Sequence, residues 1–190
     1  MDWYKYPLIL ASSSPSRRLL FEQVKIPFTV KVSGVDETVP SDFSPEETVR
    51  TLAKRKADAV FSGGGEIVVA ADSVVSVSGQ ILGKPCDEQD AKRMLRLLSG
   101  RTHQIFSGVC IRFREEEELF AQVTDVTFYE LTEEEIKEYV RTGESMGKAG
   151  SYGIESRGVR LIRSICGDYA NVVGIPIAET LRRIEKIVRH

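Results

Sequence analysis

The stretch Ile67-Val68-Val69-Ala70-Ala71-Asp72-Ser73-Val74-Val75-Ser76-Val77 decides the fold of this chain. β-Branched residues dominate it and favour a strand, and apolar side chains on both faces are typical of a strand in the interior of a sheet. A Ser78-Gly79 turn and the short apolar pair Ile81-Leu82 follow, so the strand is predicted to turn back on itself in a hairpin.

Strands and helices alternate around this central strand. Ser44-Pro45-Glu46-Glu47 and Thr132-Glu133-Glu134-Glu135 are capping boxes, in which the first and fourth side chains satisfy backbone N–H groups, so each predicts a helix start. The acidic run Glu115–Glu118 is expected at a solvated hairpin tip, and the glycine-rich Gly143–Gly158 is expected to hold a short strand. This order predicts an α/β fold with a mixed, twisted sheet and flanking helices. Further strands are predicted at Leu8–Ala11, Phe28–Val32, His103–Phe113, Leu119–Tyr129 and Val159–Ile165, and helices near Arg18–Gln23, from Ser44 to about Phe61, from Asp87 to Ser99-Gly100, from Thr132 to about Arg141 and over Pro176–Val188.

The composition indicates one globular domain over residues 1–190. The chain has 26 Lys and Arg residues and 28 Asp and Glu residues, for a formal net charge of −2. Nucleic-acid-binding domains usually carry a strong excess of basic residues, so this balance argues against a nucleic-acid partner. The longest apolar run of the strand region, Ile67–Ala71, is far shorter than the roughly 20 residues of a membrane span, so no membrane partner is expected. The chain start lacks a signal-peptide core and no Cys-x-x-Cys pair occurs, so we expect a cytoplasmic protein with free thiols, those of Cys110 and Cys166 in the core.

Two charged residues stand where apolar ones are expected. Asp72 interrupts the apolar run, and a carboxylate there must be paired, hydrogen-bonded, bound to a metal, or placed at a turn or strand end. Lys56 is four residues after Leu52 and four before Val60, so it lies on the apolar stripe of its predicted helix. A lysine there either extends its ammonium group along the apolar surface to solvent or points into a cleft.

Two segments are candidates for binding phosphate. Ser12-Ser13-Ser14-Pro15-Ser16-Arg17-Arg18 joins a buried strand to a helix start, where hydroxyl and backbone N–H groups bind anions. Arginines in a first helical turn oppose the helix dipole unless an anion lies opposite, although a serine-rich cap with solvated arginines is the plainer interpretation. Gly83-Lys84-Pro85 is not a Walker A loop, yet a lysine in such a turn is well presented to a phosphate.

Two further segments offer ligand groups. The glycines of Lys148-Ala149-Gly150-Ser151-Tyr152-Gly153-Ile154-Glu155 permit close backbone approach to a ligand, or merely form turns. Asp36-Glu37 offers hard oxygen ligands for Mg²⁺, or lies at the surface without a role. Cations, hydroxyl donors and two separate acidic sites together suit a polyphosphate that carries Mg²⁺.

Taken in order, these motifs resemble those of the Maf-type nucleotide pyrophosphatases from Leu8 to Leu181. The resemblance implies cleavage of a nucleoside triphosphate between its α and β phosphates with Mg²⁺ or Mn²⁺. It also implies an elongated fold of two lobes around a central cleft, similar to that of the inosine triphosphate pyrophosphatases, and a link with septum-formation arrest in bacteria. The matching segments are Leu10–Arg18, Ala71–Val75, Ile81–Pro85, Leu98–His103, Lys148–Ile154, Gly167–Tyr169 and Val173–Pro176.

The same resemblance assigns roles to residues by motif. Asp72 matches the proposed catalytic carboxylate, and Glu37 matches an acidic position proposed to help hold the metal. The region Gly150–Gly153, which includes Tyr152, falls where base and sugar are expected, beside a matching lysine, Lys148. The residues expected to hold phosphate are Ser12, Ser14, Arg17, Lys56 and Lys84.

Specificity is expected to depend on Ser16, Ser73 and Glu155, where this sequence departs from the family pattern. The subfamily acting on dTTP and UTP has arginine, threonine and glutamine there, whereas the one acting on 7-methyl-GTP tends to have an aromatic residue at the first position and an acidic residue at the last. The motifs around Asp72 and Lys148 favour dTTP and UTP as substrates. The alternatives are 7-methyl-GTP-type specificity and a nucleotide-sensing inhibitor of septum formation without turnover, and a homodimer is compatible with the sequence.

Overall fold

The computed structural model describes residues 2–189, so positions 1 and 190 of the predicted domain lie outside the described residues. Within that range the chain forms a seven-stranded sheet in the order β2-β1-β3-β5-β6-β7, with β4 paired to β3. β1 runs parallel to β2 and β3, whereas the pairs β3–β4 and β6–β7 are antiparallel, so the predicted mixed sheet is confirmed. The strands are β1 (Leu8–Leu10), β2 (Thr29–Val30), β3 (Ile67–Val77), β4 (Gln80–Leu82), β5 (Thr102–Phe113), β6 (Glu116–Phe128) and β7 (Ile162–Cys166).

Most helices begin within one residue of the predicted start, although the first begins at Pro15, before the predicted Arg18, and the helix Tyr169–Val173 was not predicted. In both capping boxes the hydroxyl accepts the N3 backbone N–H and the N3 glutamate accepts the N-cap backbone N–H, at Ser44 with Glu47 and at Thr132 with Glu135. The side chains of Ser14 and Asp87 cap two further helices. The helices are α1 (Pro15–Gln23), α2 (Pro45–Val60), α3 (Glu88–Leu98), α4 (Glu133–Arg141), α5 (Tyr169–Val173) and α6 (Ile177–Arg189), with 3-10 turns at Asp2–Lys5, Ala149–Ser151 and Arg157–Leu161.

The prediction of a short strand within Gly143–Gly158 is wrong. Gly143, Gly147 and Gly150 adopt positive φ angles, which break the extended conformation, and the segment forms the 3-10 turn Ala149–Ser151 instead. The 3-10 turn Arg157–Leu161 then delays the following strand, which begins at Ile162 and not at the predicted Val159.

The acidic run Glu115–Glu118 is only partly a hairpin tip. The turn between β5 and β6 comprises Arg114, which has a φ of 53°, and Glu115, while β6 already begins at Glu116. Glu118 accepts hydrogen bonds from Arg183 and Lys186 of α6, and Glu117 pairs with Lys54 of α2. These ion pairs tie two helices to the start of β6, a role that the solvated-tip interpretation did not include.

The chain divides into two compact units, each with its own apolar core. The first unit comprises the residues up to Ser73, Ser107–Gln122 and the chain from Gly174 onward; the second comprises Val74–Phe106 and Val123–Val173. The first has a cluster in which Ala53, Ala57 and Val60 of α2 are buried with sheet residues. The second has a larger cluster, in which α3 and α4 contribute Leu95, Leu98, Ile136 and Val140.

The thiols of Cys86, Cys110 and Cys166 are free. Cys110 is buried as predicted, and burial raises its pKa to about 12. The prediction that Cys166 lies in the core is wrong, because it is exposed on β7, the last strand in the sheet order. Among the described helices, none is both long and apolar enough to span a membrane.

Candidate active site

Asp72 and Lys56 form a buried ion pair in the first unit. Asp72 lies within β3 and Lys56 on the buried face of α2, and each residue is 9% exposed. Lys56 Nζ donates to Asp72 Oδ1 over 2.6 Å. Of the alternatives for Asp72, the turn and strand-end placements are therefore excluded. Of the alternatives for Lys56, extension of the ammonium group to solvent is excluded, because the side chain is buried and bonded to Asp72. The pairing also limits the cost of burying either charge.

Glu37 joins this pair from the loop after β2. Its Oε1 lies 2.7 Å from Lys56 Nζ, although the Glu37 side chain is 53% exposed. The two carboxylates predicted from separate parts of the sequence thus converge on one atom, the ammonium nitrogen. We call Glu37, Lys56 and Asp72 the acidic cluster.

Gly108 allows α2 to lie close enough to the sheet for this contact. A Cβ atom at Gly108 of β5 would come within 2.8 Å of the backbone nitrogen of Arg50 and still closer to the carbonyl group of Val49. Any larger residue would therefore push the helix that carries Lys56 away from the strand. Our sequence interpretation missed Gly108, although a glycine inside a predicted strand indicates a close backbone approach.

The serine-rich segment before α1 is ordered by its own hydrogen bonds. Ser14 is the N-cap residue, and its Oγ accepts from the backbone nitrogen of Arg17 over 3.4 Å. Ser12 Oγ accepts from the backbone nitrogen of Ser14 over 3.1 Å and from Arg17 Nη1 over 3.4 Å. Arg18 points elsewhere and forms an exposed ion pair with Glu22, which leaves Arg17 as the cation of the predicted anion site.

Arg17 connects this segment to two distant parts of the first unit. Its Nε donates to the carbonyl of Gly174 over 2.8 Å, and its Nη2 donates to Ser73 Oγ over 3.0 Å. Burial lowers the pKa of Arg17, while the charges of Asp72 and Glu37 oppose that shift, so the guanidinium lies within the field of the acidic cluster. An arginine starts from so high a pKa that it remains charged at neutral pH.

Ser73 has a structural task besides the specificity role predicted for it. Its hydroxyl accepts from Arg17, shares a 2.8 Å hydrogen bond with Ser107 Oγ, and lies 3.2 Å from the carbonyl oxygen of Gly174. Ser107 and Gly174 were not predicted as site residues, and both come near Arg17 only through folding. Ser16, the other departure in this unit, is partly buried in the first turn of α1.

The second unit carries the remaining predicted residues. Lys148 and Glu155 form an ion pair, with Lys148 Nζ donating to Glu155 Oε1. Gly150 has a φ of +66°, and a Cβ there would come within 2.8 Å of a Val75 methyl carbon, so the backbone approaches β3 as closely as glycine allows. Lys84 is exposed in the loop between β4 and α3, and its phosphate role stays a prediction.

The Tyr152 side chain belongs to the core of the second unit. It is 6% exposed, and its hydroxyl lies 2.7 Å from Nε2 of His103. Phe128 packs edge-on against both rings. Burial raises the pKa of Tyr152 and lowers that of His103 to about 4, so both side chains are neutral at physiological pH. A role for Tyr152 at the base or sugar would therefore fall to its backbone.

The acidic cluster has the donor set that a substrate-borne metal needs. Among residues 2–189, no three His, Cys, Asp or Glu side chains gather closely enough to bind a metal on their own. Mg²⁺, however, is commonly held by one or two carboxylates together with substrate phosphates. Glu37 and Asp72 already share one cation, Lys56 Nζ, at 2.7 and 2.6 Å, so the chemistry of their oxygens fits a divalent ion.

Comparison with known proteins gives the family. A dTTP/UTP pyrophosphatase of Bacillus cereus is 47% identical over 180 residues, which cover 94% of each chain. One of Bacillus cytotoxicus is 48% identical over 179 residues, again 94% of each chain. The Ham1 protein structure from Staphylococcus aureus aligns with a TM-score of 0.45 at 17% identity, over 64% of this chain and 71% of that chain, which is too remote to bear on function. The family described as Maf-like protein matches residues 7–187, and the chain therefore belongs to the Maf family.

Proposed function

We propose that this protein hydrolyses the α–β phosphoanhydride of dTTP and UTP, releasing pyrophosphate and a nucleoside monophosphate, with a divalent metal ion. The observation that carries the proposal is the acidic cluster, a buried Lys56–Asp72 pair joined by Glu37 and lying within the field of Arg17. Phosphoryl transfer depends mainly on positioning and charge neutralisation, and this arrangement of two carboxylates and two cations offers both. The names of the Bacillus relatives support dTTP and UTP as substrates.

In this proposal the segment before α1 binds the phosphates. The hydroxyls of Ser12 and Ser14 are already held in place by the helix start and by Arg17. A guanidinium has five N–H donors, and the contacts of Arg17 to Gly174, Ser73 and Ser12 use three of them among the described residues, so two can face a phosphate oxygen. Lys84, an exposed lysine of the loop between β4 and α3, is proposed to bind phosphate as well.

The carboxylates are proposed to hold the metal and the attacking water. Asp72 and Glu37 would ligate Mg²⁺ or Mn²⁺, which when bound would neutralise charge on the phosphates. Asp72 would also orient the water and accept its proton. Lys56 would exchange its carboxylate partners for a phosphate oxygen as the nucleotide binds, because the same ammonium group cannot occupy the point where those carboxylates would meet a metal.

Base choice is proposed to depend on the Lys148–Glu155 ion pair. A free carboxylate would favour a cationic base such as 7-methylguanine, but Lys148 compensates the charge of Glu155. A neutral pyrimidine can donate its N3–H to the carboxylate and accept from the ammonium group, so the pair suits uracil and thymine. Ser16, smaller than an arginine or an aromatic residue, would leave room for additional bases.

The test is pyrophosphate release from dTTP, UTP, CTP, GTP and 7-methyl-GTP with Mg²⁺ or Mn²⁺. Asp72→Asn should lower kcat about 10²–10⁴-fold, the range typical of a positioned acid–base group. Asp58→Asn is the matched control, since Asp58 is an exposed carboxylate of α2 that pairs with Lys54. Circular dichroism establishes that both variants are folded. Nucleotide binding without pyrophosphate release would contradict the proposed activity and indicate a sensor, and a preference for 7-methyl-GTP would contradict the proposed substrates.

A further inference from the structure

Residues Lys148–Glu155, which we call the recognition segment, are fixed to the second unit by both backbone and side-chain hydrogen bonds. The backbone nitrogen of Gly150 donates to the carbonyl of Gly83 over 3.0 Å. Ser151 is fully buried, with its hydroxyl 3.1 Å from the sulfur of Met94 on α3. The segment has almost no regular secondary structure, so contacts of this kind determine where its side chains lie.

Gly153 lies directly beneath the Lys148–Glu155 ion pair. A Cβ atom at Gly153 would come within 2.8 Å of Lys148 Cε and 2.9 Å of Glu155 Oε2. The two charged side chains therefore meet over the Cα of Gly153. A shift of the Gly153 backbone would move the surface on which the ion pair rests.

Tyr139 of α4 is hydrogen-bonded to this backbone. Its hydroxyl oxygen accepts a hydrogen bond from the Gly153 nitrogen over 3.2 Å, and the tyrosine is only 5% exposed. Gly158 makes room for the contact, since a Cβ there would come within 3.0 Å of the same hydroxyl oxygen. Burial raises the pKa of Tyr139 to about 12, so the hydroxyl is neutral in the range where enzymes are assayed.

We propose that Tyr139 is a positioning residue for base recognition: its hydroxyl fixes the backbone of Gly153 and thereby the Lys148–Glu155 ion pair. The inference rests on the proposed function, because it assumes that this pair contacts the base. Tyr139 is proposed to act through Gly153 and not by contact with the base. The neighbouring residue is fixed separately, since the Tyr152 hydroxyl is bonded to His103. A loss at Tyr139 is therefore expected to disturb the ion pair without releasing the whole segment.

The test is Tyr139→Phe, which keeps the buried ring and removes only the hydroxyl. Tyr129→Phe is the matched control, because Tyr129 is a 52% exposed tyrosine of the same unit. We expect KM for dTTP and UTP to rise about fivefold, the effect of one neutral hydrogen bond, while kcat stays within about twofold. The preference for dTTP over GTP should fall, and the affinity for pyrophosphate, measured by calorimetry, should not change.

Two results would overturn the positioning role: an unchanged base preference in Tyr139→Phe, or an equal loss for every nucleotide together with weaker pyrophosphate binding. Failure of the proposed function would look different, because the wild-type protein would then release no pyrophosphate. Calorimetry with dTMP would still test the positioning role in that case. Weaker dTMP binding by Tyr139→Phe than by Tyr129→Phe would support it, and equal binding would refute it.

Discussion

Replacing Lys56 with methionine should convert the acidic cluster into a site that binds a divalent metal without nucleotide. The side chains of Lys56 and Asp72 are 11% and 12% exposed, so their ion pair is largely shielded from water. Removing one partner of a buried pair leaves an uncompensated charge that costs about 3–5 kcal/mol. A metal ion bound to Asp72 and Glu37 would remove that cost. Since each ~1.4 kcal/mol is a tenfold change in affinity, Mn²⁺ should bind Lys56→Met about 10²–10⁴-fold more tightly than wild type.

Calorimetry with Mn²⁺ alone, on protein freed of metal by a chelator, measures this affinity directly. Thermal unfolding supplies a second measure, because Lys56→Met should be less stable than wild type in chelator and should regain stability with Mn²⁺. Lys54→Met is the matched control: Lys54 lies on the same helix, its side chain is 41% exposed, and its partners are Asp58 and Glu117. Equal Mn²⁺ affinities for wild type, Lys54→Met and a folded Lys56→Met would refute the idea that Lys56 occupies the metal position.

Three further outcomes are expected. Gly108→Ala should lower the free energy of unfolding, measured by urea denaturation, by about 1–3 kcal/mol, because the added methyl group overpacks against Val49. Gly83→Ala is the control, since a Cβ at Gly83 meets nothing within 4 Å. Equal stabilities of the two variants would contradict the close approach of α2 to Gly108. His103, with its pKa lowered to about 4 from 6.5, stays neutral in the folded state while the unfolded state takes up a proton below about pH 6.5, so stability falls between pH 6.5 and 4 by on the order of 3 kcal/mol. The difference in free energy of unfolding between wild type and His103→Gln should therefore shrink from pH 7 to pH 5. A constant difference would contradict the lowered pKa of His103. Glu155→Gln should lower kcat/KM for dTTP and UTP relative to the other nucleotides of the panel, because it removes the ion pair proposed to contact the pyrimidine, and an unchanged ranking would show that Glu155 does not contact the base.

Local chemistry in the sequence determined where most elements begin and what type they are. The capping boxes at Ser44 and Thr132 and the N-cap at Asp87 involve residues within one helical turn, so they could be identified without the fold. The apolar run from Ile67 to Val77 predicted a central buried strand, because a strand that is buried on both faces has apolar side chains at nearly every position. Lys56 and Asp72 could be identified as candidate site residues because they are charged residues at positions where the pattern predicts buried apolar side chains.

Only the tertiary structure decided what these residues meet. Lys56 and Asp72 are 16 positions apart, and the sequence did not show that the ammonium of one would lie on the carboxylate of the other, with Glu37 beside them. Arg17 bonds to a carbonyl 157 positions away, a contact that depends on the whole first unit being folded. Tyr152 appeared in a glycine-rich segment typical of a ligand contact, yet its side chain is buried against His103. Sequence patterns indicate periodicity and capping, which depend on nearby residues, whereas packing between distant segments determines the partner of a charged or polar side chain. The close packing of α2 against Gly108, which positions Lys56, is an example.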